Sequence, residues 1–166
     1  MARVWKFGED VDTDQIVPGR YAPYMTSEAE LAKYAFIERR PEFAREVKEG
    51  DIIVAGKNFG CGSSREYAPQ ALKRCGVGAI IAPSFARIFF RNALNLGLLL
   101  FEADGITKAV EDGDEVILDA QVPELRRGAK AFPLKRPPRL VHDIIKEGSI
   151  VDYFRKHRRF PGIGDD

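Results

Sequence analysis

Three short apolar runs constrain this chain more than any other feature: Ile52-Ile53-Val54-Ala55, Ala79-Ile80-Ile81-Ala82 and Leu98-Leu99-Leu100-Phe101. No polar side chain interrupts them, and each is bounded by turn or helix signals, the pattern of a buried strand. Helical stretches lie between them. Ser84 is placed to cap a helix that carries Phe85, Ile88, Phe89 and Leu96 on one side and stops at Gly97. Arg87, Arg91 and Asn95 share the opposite stripe, which reads as a solvated face. Strands alternating with helices predict an α/β fold with parallel pairing. An earlier strand is expected where Arg3-Val4-Trp5-Lys6-Phe7 alternates. Ser27 with Glu30 caps a helix bearing Leu31, Tyr34 and Ala35, and Pro41 suits the first turn of another. Beyond Asp104 the rhythm changes. Glu115-Val116-Ile117-Leu118-Asp119 and two runs around Arg127-Gly128 read as antiparallel strands and a hairpin. Pro137 and Pro138 then introduce a helix over 139–147 that Gly148 ends, and Ser149 caps a last amphipathic helix.

The first buried run leads into Gly56-Lys57-Asn58-Phe59-Gly60-Cys61-Gly62-Ser63-Ser64-Arg65-Glu66. Glycines here permit positive φ and close approach of a ligand to the backbone. Ser63 followed three residues later by Glu66 is a capping-box spacing, so a helix is expected to begin at the serine. Pro69 removes a helical hydrogen bond and predicts a kink or a delayed start. A glycine turn between strand and helix, with two hydroxyls and a guanidinium, makes an anion site, and a carboxylate is the best-matched anion. Other motifs are excluded by single residues. A phosphate-binding P-loop needs Gly and Ser or Thr where Asp51 and Asn58 stand. Arg65 occupies the third glycine of a dinucleotide fingerprint, and Glu66 the last glycine of a nucleophile elbow. From spacing alone, a merely structural turn remains an equal alternative.

With 166 residues, 45% apolar and 31% charged side chains, the chain is expected to form a single domain over 1–166, with a basic-to-acidic tail from about 158. That tail, Arg155 to Arg159 and then Asp165-Asp166, reads as a solvated, frayed end. A formal charge of +1 argues against a protein built to hold nucleic acid. No apolar run reaches the ~18 residues that cross a bilayer, and the amino terminus has no signal-peptide core. Cys61 and Cys75 form neither a disulfide framework nor a CxxC motif and fit a reducing cytoplasm. Packing is their simplest role. The same count bears on iron, since a cubane cluster is held by about four thiolates, or three with one open iron. Two cysteines fall short, so any such cluster must sit on another polypeptide. His142 and His157 have no polar partner nearby in sequence and read as surface residues. Asp10, Asp12 and Asp14 imitate an EF-hand opening, but Gln15 and Tyr21 stand where Gly and Glu are required.

The segment 56–66 resembles the signature of the aconitase superfamily's swivelling domain, in the form of the separately encoded small subunits of 3-isopropylmalate dehydratase and homoaconitase. Two more stretches carry the likeness in the same order: Lys6-Phe7-Gly8 followed by Asp12-Thr13-Asp14-Gln15-Ile16-Val17-Pro18, and Ser84-Phe85-Ala86-Arg87-Ile88-Phe89-Phe90-Arg91-Asn92-Ala93. The resemblance implies a swivelling β/β/α domain, a mixed parallel and antiparallel sheet flanked by helices. It also implies that Ser63 is the catalytic base and that Ser64 and Arg65 hold a substrate carboxylate. Thr13 and Asp14 would lie close by, Asp14 orienting an arginine, with Gly60, Gly62 and Asn58 shaping the turn. A serine hydroxyl is a poor base in water, and neighbouring positive charge and backbone amides would be needed to favour its alkoxide.

The implied activity is a hydro-lyase's isomerisation of 2- and 3-isopropylmalate in leucine biosynthesis, with homoaconitate in lysine biosynthesis as the alternative substrate. The partner would be a large subunit bearing a [4Fe-4S] cluster, the Lewis acid that helps hydroxide to leave. In one place the chain departs from the family. Many members carry an arginine in the loop after Gly19, where this chain reads Tyr21-Ala22-Pro23-Tyr24. Pro23 takes the arginine's place and Arg20 is the adjacent charge, so Arg20, Tyr21 and Pro23 are expected to border the substrate's variable group. Isopropyl tail or further carboxylate stays open. A non-catalytic carboxylate-binding module and an RNA-binding descendant are the rival classes.

Overall fold

The computed structural model describes residues 1–162, so the acidic end of the tail, Asp165-Asp166, lies outside the described residues. Strands β1 (Ala2–Lys6), β2 (Ile52–Val54), β3 (Ala79–Ala82) and β4 (Leu99–Glu102) pair in parallel. Strands β5 (Glu115–Asp119), β6 (Glu124–Arg127) and β7 (Lys130–Pro133) extend them antiparallel into one seven-stranded sheet ordered β4-β3-β2-β1-β5-β6-β7. The register puts Trp5, Ile53, Ile80 and Leu100 in one row and Val4, Ile52 and Ala79 in a row on the opposite face. Both rows are apolar, which is why the three runs carry no polar residue.

Each face has its own cover. The chain crosses β1, β2, β3 and β4 stepwise in one direction, and right-handed crossovers stepping one way leave their helices on one face. These are α1 (Thr13–Ile16), α2 (Glu28–Lys33) and α3 (Phe43–Glu46) before β2, α4 (Tyr67–Arg74) before β3 and α5 (Arg87–Asn95) before β4. Phe36, Phe43, Leu72 and Phe89 from these crossovers bury Trp5, Ile53, Ile80 and Leu100. The other face packs Val4, Ile52, Ile81 and Phe101 against Ile106 of α6 (Ile106–Ala109) and against Val116, Leu125 and Leu134 of the curled antiparallel half. Alternation over residues 3–7 therefore marks no wet face: Val4 and Trp5 are both fully buried.

Several boundaries follow their sequence signals. Ser27 Oγ accepts from Glu30 N at 3.2 Å, and Ser149 Oγ accepts from Asp152 N at 3.1 Å at the start of α8 (Ile150–His157). Helix α7 (Arg139–Glu147) follows Pro138 and ends at Gly148, whose φ is +99°. Three of the five basic residues expected to fray do not. Arg155 to His157 continue α8, where Lys156 Nζ donates to Glu147 at 2.8 Å and the His157 ring lies 3.2 Å from the same carboxylate.

Two capping expectations fail, and both failures shape the site. Helix α4 begins at Tyr67, with Glu66 at its N-cap and no side-chain acceptor there, so Ser63 caps nothing. Pro69 explains the delay. It falls in the first turn of α4, where its missing N–H would have had no intrahelical partner. Helix α5 likewise starts at Arg87, not beside Ser84, whose Oγ instead accepts from Asn58 N at 2.9 Å.

One buried polar group fastens β1 to the segment entering β2. Asp51, 4% exposed, accepts from Arg3 N at 3.0 Å, Trp5 Nε1 at 3.0 Å and Lys48 N at 2.9 Å. Replacing it by alanine strands three donors, the indole N–H among them in the core. Each stranded buried donor costs about 1–3 kcal/mol, so we expect Asp51→Ala to lose ~3–5 kcal/mol in denaturant unfolding. Asp51→Asn, which keeps one acceptor oxygen, should fall between. A loss for Asp51→Ala under ~0.5 kcal/mol, the range of neutral surface changes, would show that this network contributes nothing net.

Candidate functional site

The parallel strands place their carboxyl ends together, and ligands of open α/β sheets bind beyond such ends. Here the segment after β1 enters α1, the glycine turn follows β2, and α5 follows β3. The three converge. Thr13 N donates to Cys61 O at 2.9 Å and Gly60 N to Val11 O at 2.7 Å, so the turn is sewn to the start of α1. Phe59 N donates to Ser84 O at 3.1 Å and Ala86 N to Phe59 O at 3.0 Å, which sews it to the start of α5. Asn58, in the left-handed region at φ +60°, donates Nδ2 to Asp10 at 2.9 Å. It shapes the turn from behind.

Gly60 and Gly62 both take positive φ, +83° and +90°. Gly60 has a second reason to be glycine: a Cβ there would stand 2.1 Å from Phe89 Cγ. Helix α5 thus lies directly against the turn, and a cavity of about 290 Å3 opens between them. Thr13, Gly62, Ser63, Ser64 and Arg65 line one side, and Arg87, Ile88 and Asn92 of α5 the other, with Gly60 and Phe89 between.

Thr13, 2% exposed, donates its hydroxyl to Ser63 O at 2.9 Å while its Oγ1 lies 3.5 Å from Ser63 Oγ. With Thr13's proton committed to the carbonyl, Ser63 is the donor in the second contact. The serine's lone pairs are thereby left for the cavity. Arg65 pairs through Nη1 with Asp14, which also accepts from Gly19 N at 3.2 Å. That leaves Nη2 and Nε of the guanidinium for a ligand, the two-pronged edge that matches a carboxylate.

The loop after Gly19 meets this cluster at one point. A Cβ on Gly19 would stand 2.4 Å from Arg65 Nη1, so the loop's backbone backs the arginine. Arg20, Tyr21 and Pro23 lie on a 3-10 turn, Gly19–Tyr24, and are absent from the lining of the cavity. Arg20 pairs with Glu38 and the Tyr21 ring stacks on Tyr34 at 4.9 Å. Sequence reasoning under-read the opposite wall. Arg87 was expected on a solvated stripe, yet it shares the cavity with Ser63 and Arg65, as do Ile88 and Asn92. Ile88, expected on the buried side of α5, is 52% exposed there. The one signal for all three was their place in the matched Ser84–Ala93 stretch.

A larger cleft of about 690 Å3 runs between α4 and the α7–α8 turn, but its cations are spent. Lys73 donates to the carbonyls of Leu96 and Gly148, and Arg74 pairs with Glu28. Iron is a poor fit to the thiols of this chain. Burial and the Asp12 and Asp10 carboxylates push the Cys61 thiol up, burial pushes Cys75 up to about 12, and Cys75 Sγ is bonded to Ala32 O at 3.3 Å. Among the described residues no three His, Cys, Asp or Glu side chains gather as a metal would need, and no helix is long and apolar enough to cross a membrane.

Known proteins resemble this chain in sequence and fold. The aconitase C-terminal domain family matches residues 12–104, the span from α1 to just beyond β4 that builds the cavity. A homoaconitase small subunit of Thermus thermophilus is 57% identical over 98% of this chain and 99% of its own length. A 3-isopropylmalate dehydratase small subunit of Deinococcus radiodurans is 53% identical over 98% of this chain and 91% of its own. The crystal structure of a Methanocaldococcus jannaschii 3-isopropylmalate dehydratase superposes with a TM-score of 0.88 at 45% identity, covering 95% of this chain and 93% of that one. The chain therefore belongs to the aconitase C-terminal domain family, among the small subunits of 3-isopropylmalate dehydratase and homoaconitase.

Proposed function

We propose that this chain is the small subunit of a hydro-lyase that interconverts 2- and 3-isopropylmalate in leucine biosynthesis, at a site completed by an iron–sulfur large subunit. The observation that carries the reading is the meeting of Ser63, Thr13 and Arg65 at one cavity, with Asp14 paired to the arginine from outside its lining. The reaction needs a proton taken from carbon beside a carboxylate, within hydrogen-bond reach of a base. Ser63 Oγ is the base in this reading, acting as the alkoxide after its own proton has passed to solvent. Arg65, held by Asp14, grips the adjacent carboxylate with Ser64 and stabilises the charge that develops as the proton leaves. No group of this chain is assigned to the departing hydroxide, and its thiols do not fit a cluster, which supports a partner that carries one.

The apolar Ile88 exposed at the cavity favours an isopropyl tail. The Thermus thermophilus relative's name favours homoaconitate and lysine biosynthesis as the second reading. The free cysteines support a cytoplasmic location, and the single sheet supports one domain.

The test is assembly with the cognate large subunit, its cluster loaded anaerobically, followed by turnover of 3-isopropylmalate and of homoaconitate. The isolated chain should be inactive and hold no stoichiometric iron or sulfide. The complex should prefer isopropylmalate in kcat/KM by about tenfold or more, the range that a differing tail group commands. Preference for homoaconitate would select the second reading. A loaded complex inert toward both acids, in which this chain still binds them, would make it a carboxylate-binding module without catalysis.

A further inference from the structure

Arg65 is not the only guanidinium at the cavity. Arg87 lines the same space, and among the described residues it has no hydrogen bond, ion pair or ring partner. No Asp or Glu contributes to the lining. Arg65 has its charge offset by Asp14, so the uncompensated charge facing the cavity is Arg87's. Its position is fixed from both directions. Phe89 is held against Gly60 and stands edge-on to Phe59 at 5.3 Å, locking the first turn of α5 to the turn that bears Ser63. Ser84, drawn off by Asn58, leaves that helix start without a side-chain cap, so its first amides reinforce the positive charge. Asn92, another residue of the lining, adds an amide for hydrogen bonding.

We infer that Arg87 binds the second carboxylate of the substrate, the one remote from Arg65, so that the cavity takes a dianionic 2-hydroxy acid across its width. The inference rests on the hydro-lyase reading and deepens it. A malate frame carries two carboxylates, and two arginines line the cavity, Arg65 from the glycine turn and the exposed Arg87 from α5. The apolar Ile88 beside Arg87 then faces whatever the frame carries as its third substituent. Arg87 is a substrate-binding residue in this scheme and takes no part in proton transfer.

The assembled complex provides the test through two competitive inhibitors, malate and 3-hydroxybutyrate, in which a methyl group replaces the carboxylate on the hydroxyl-bearing carbon, the one remote from Arg65. Wild type should bind malate the more tightly. Arg87→Ala should shrink the ratio of their inhibition constants by about ten- to a hundredfold, the worth of one charge-assisted carboxylate contact, while 3-hydroxybutyrate binds unchanged. Arg87→Lys should restore part of the ratio, because an ammonium keeps the charge and loses the fork. The affinity between subunits, measured alongside, should not move. An unmoved ratio, equal losses for both acids, or a loss of assembly alone would overturn the inference. A loaded wild-type complex inert toward every malate-like acid overturns the hydro-lyase reading itself, and this inference with it. An active wild type whose ratio survives Arg87→Ala overturns this inference alone.

Discussion

Ser63→Ala should cut turnover of the assembled complex by about 10²–10⁴, the usual contribution of a positioned base, while a substrate analogue binds within about threefold of wild type. The separation follows from what the alanine retains. Thr13 and the Arg65 backbone N–H both bond the Ser63 carbonyl, at 2.9 and 2.8 Å, and neither contact needs the hydroxyl. Arg65 keeps Asp14, and the carboxylate grip stays in place. Only the proton acceptor goes. Rates and calorimetric titration on one preparation make the comparison. A variant with near-normal kcat would show that the serine is a bystander in the turn and that the base lies elsewhere, on the partner subunit included.

Gly60→Ala should be the most destabilising small change at the site. The added Cβ meets two costs at once. Left-handed backbone is worth ~1–2 kcal/mol against any L side chain, and overpacking a filled space costs ~1–3 kcal/mol more. The second cost is hard to relieve. Phe89, 2% exposed, would receive the new carbon at 2.1 Å from Cγ and 2.5 Å from Cβ, and it already abuts the Phe59 ring. A loss of about 2–5 kcal/mol lowers Tm by roughly 4–20 °C in a chain of this size. Any surviving folded protein should have α5 pushed off the turn, moving Arg87 and Ile88 relative to Ser63, so activity should fall further than stability. Thermal and denaturant melts read the first effect, rates well below the melt the second. Unfolding within ~0.5 kcal/mol of wild type would mean that Phe89 swings aside freely and that the close approach is incidental.

The fold was largely legible before any coordinates. Uninterrupted apolar runs such as Ile52-Ile53-Val54 need cover on both faces, and the chain's only way to supply it repeatedly is strand, helix, strand. The late hairpin at Gly128, the proline entry to α7 and the Ser27 and Ser149 caps were also readable, because each depends on residues within a few positions of one another. The Ser63-Ser64-Arg65 triplet stood out for the same reason, and its likeness to aconitase-type domains extended the reading to Thr13 and Asp14.

Side-chain partners from distant segments were decided only by the tertiary structure. Ser63 with Glu66 has the spacing of a cap, yet the helix waits for Tyr67 because Pro69 is tolerated only within the first turn. Ser84 has the spacing of a cap too, but Asn58 takes its oxygen from 26 residues away. No periodicity along α5 marks Arg87 as a cavity residue; on the helix alone it is one more charge on a wet stripe. It becomes part of the site because β2 and β3 are hydrogen-bonded neighbours, so the turn after one meets the helix after the other, and because Gly60 lets them close to contact. A capping hydroxyl or an exposed guanidinium carries the same local signal whether it faces water, a distant amide or a ligand. Which it faces depends on the packing of the sheet's carboxyl ends, a relation between segments that the spacing within either one does not encode.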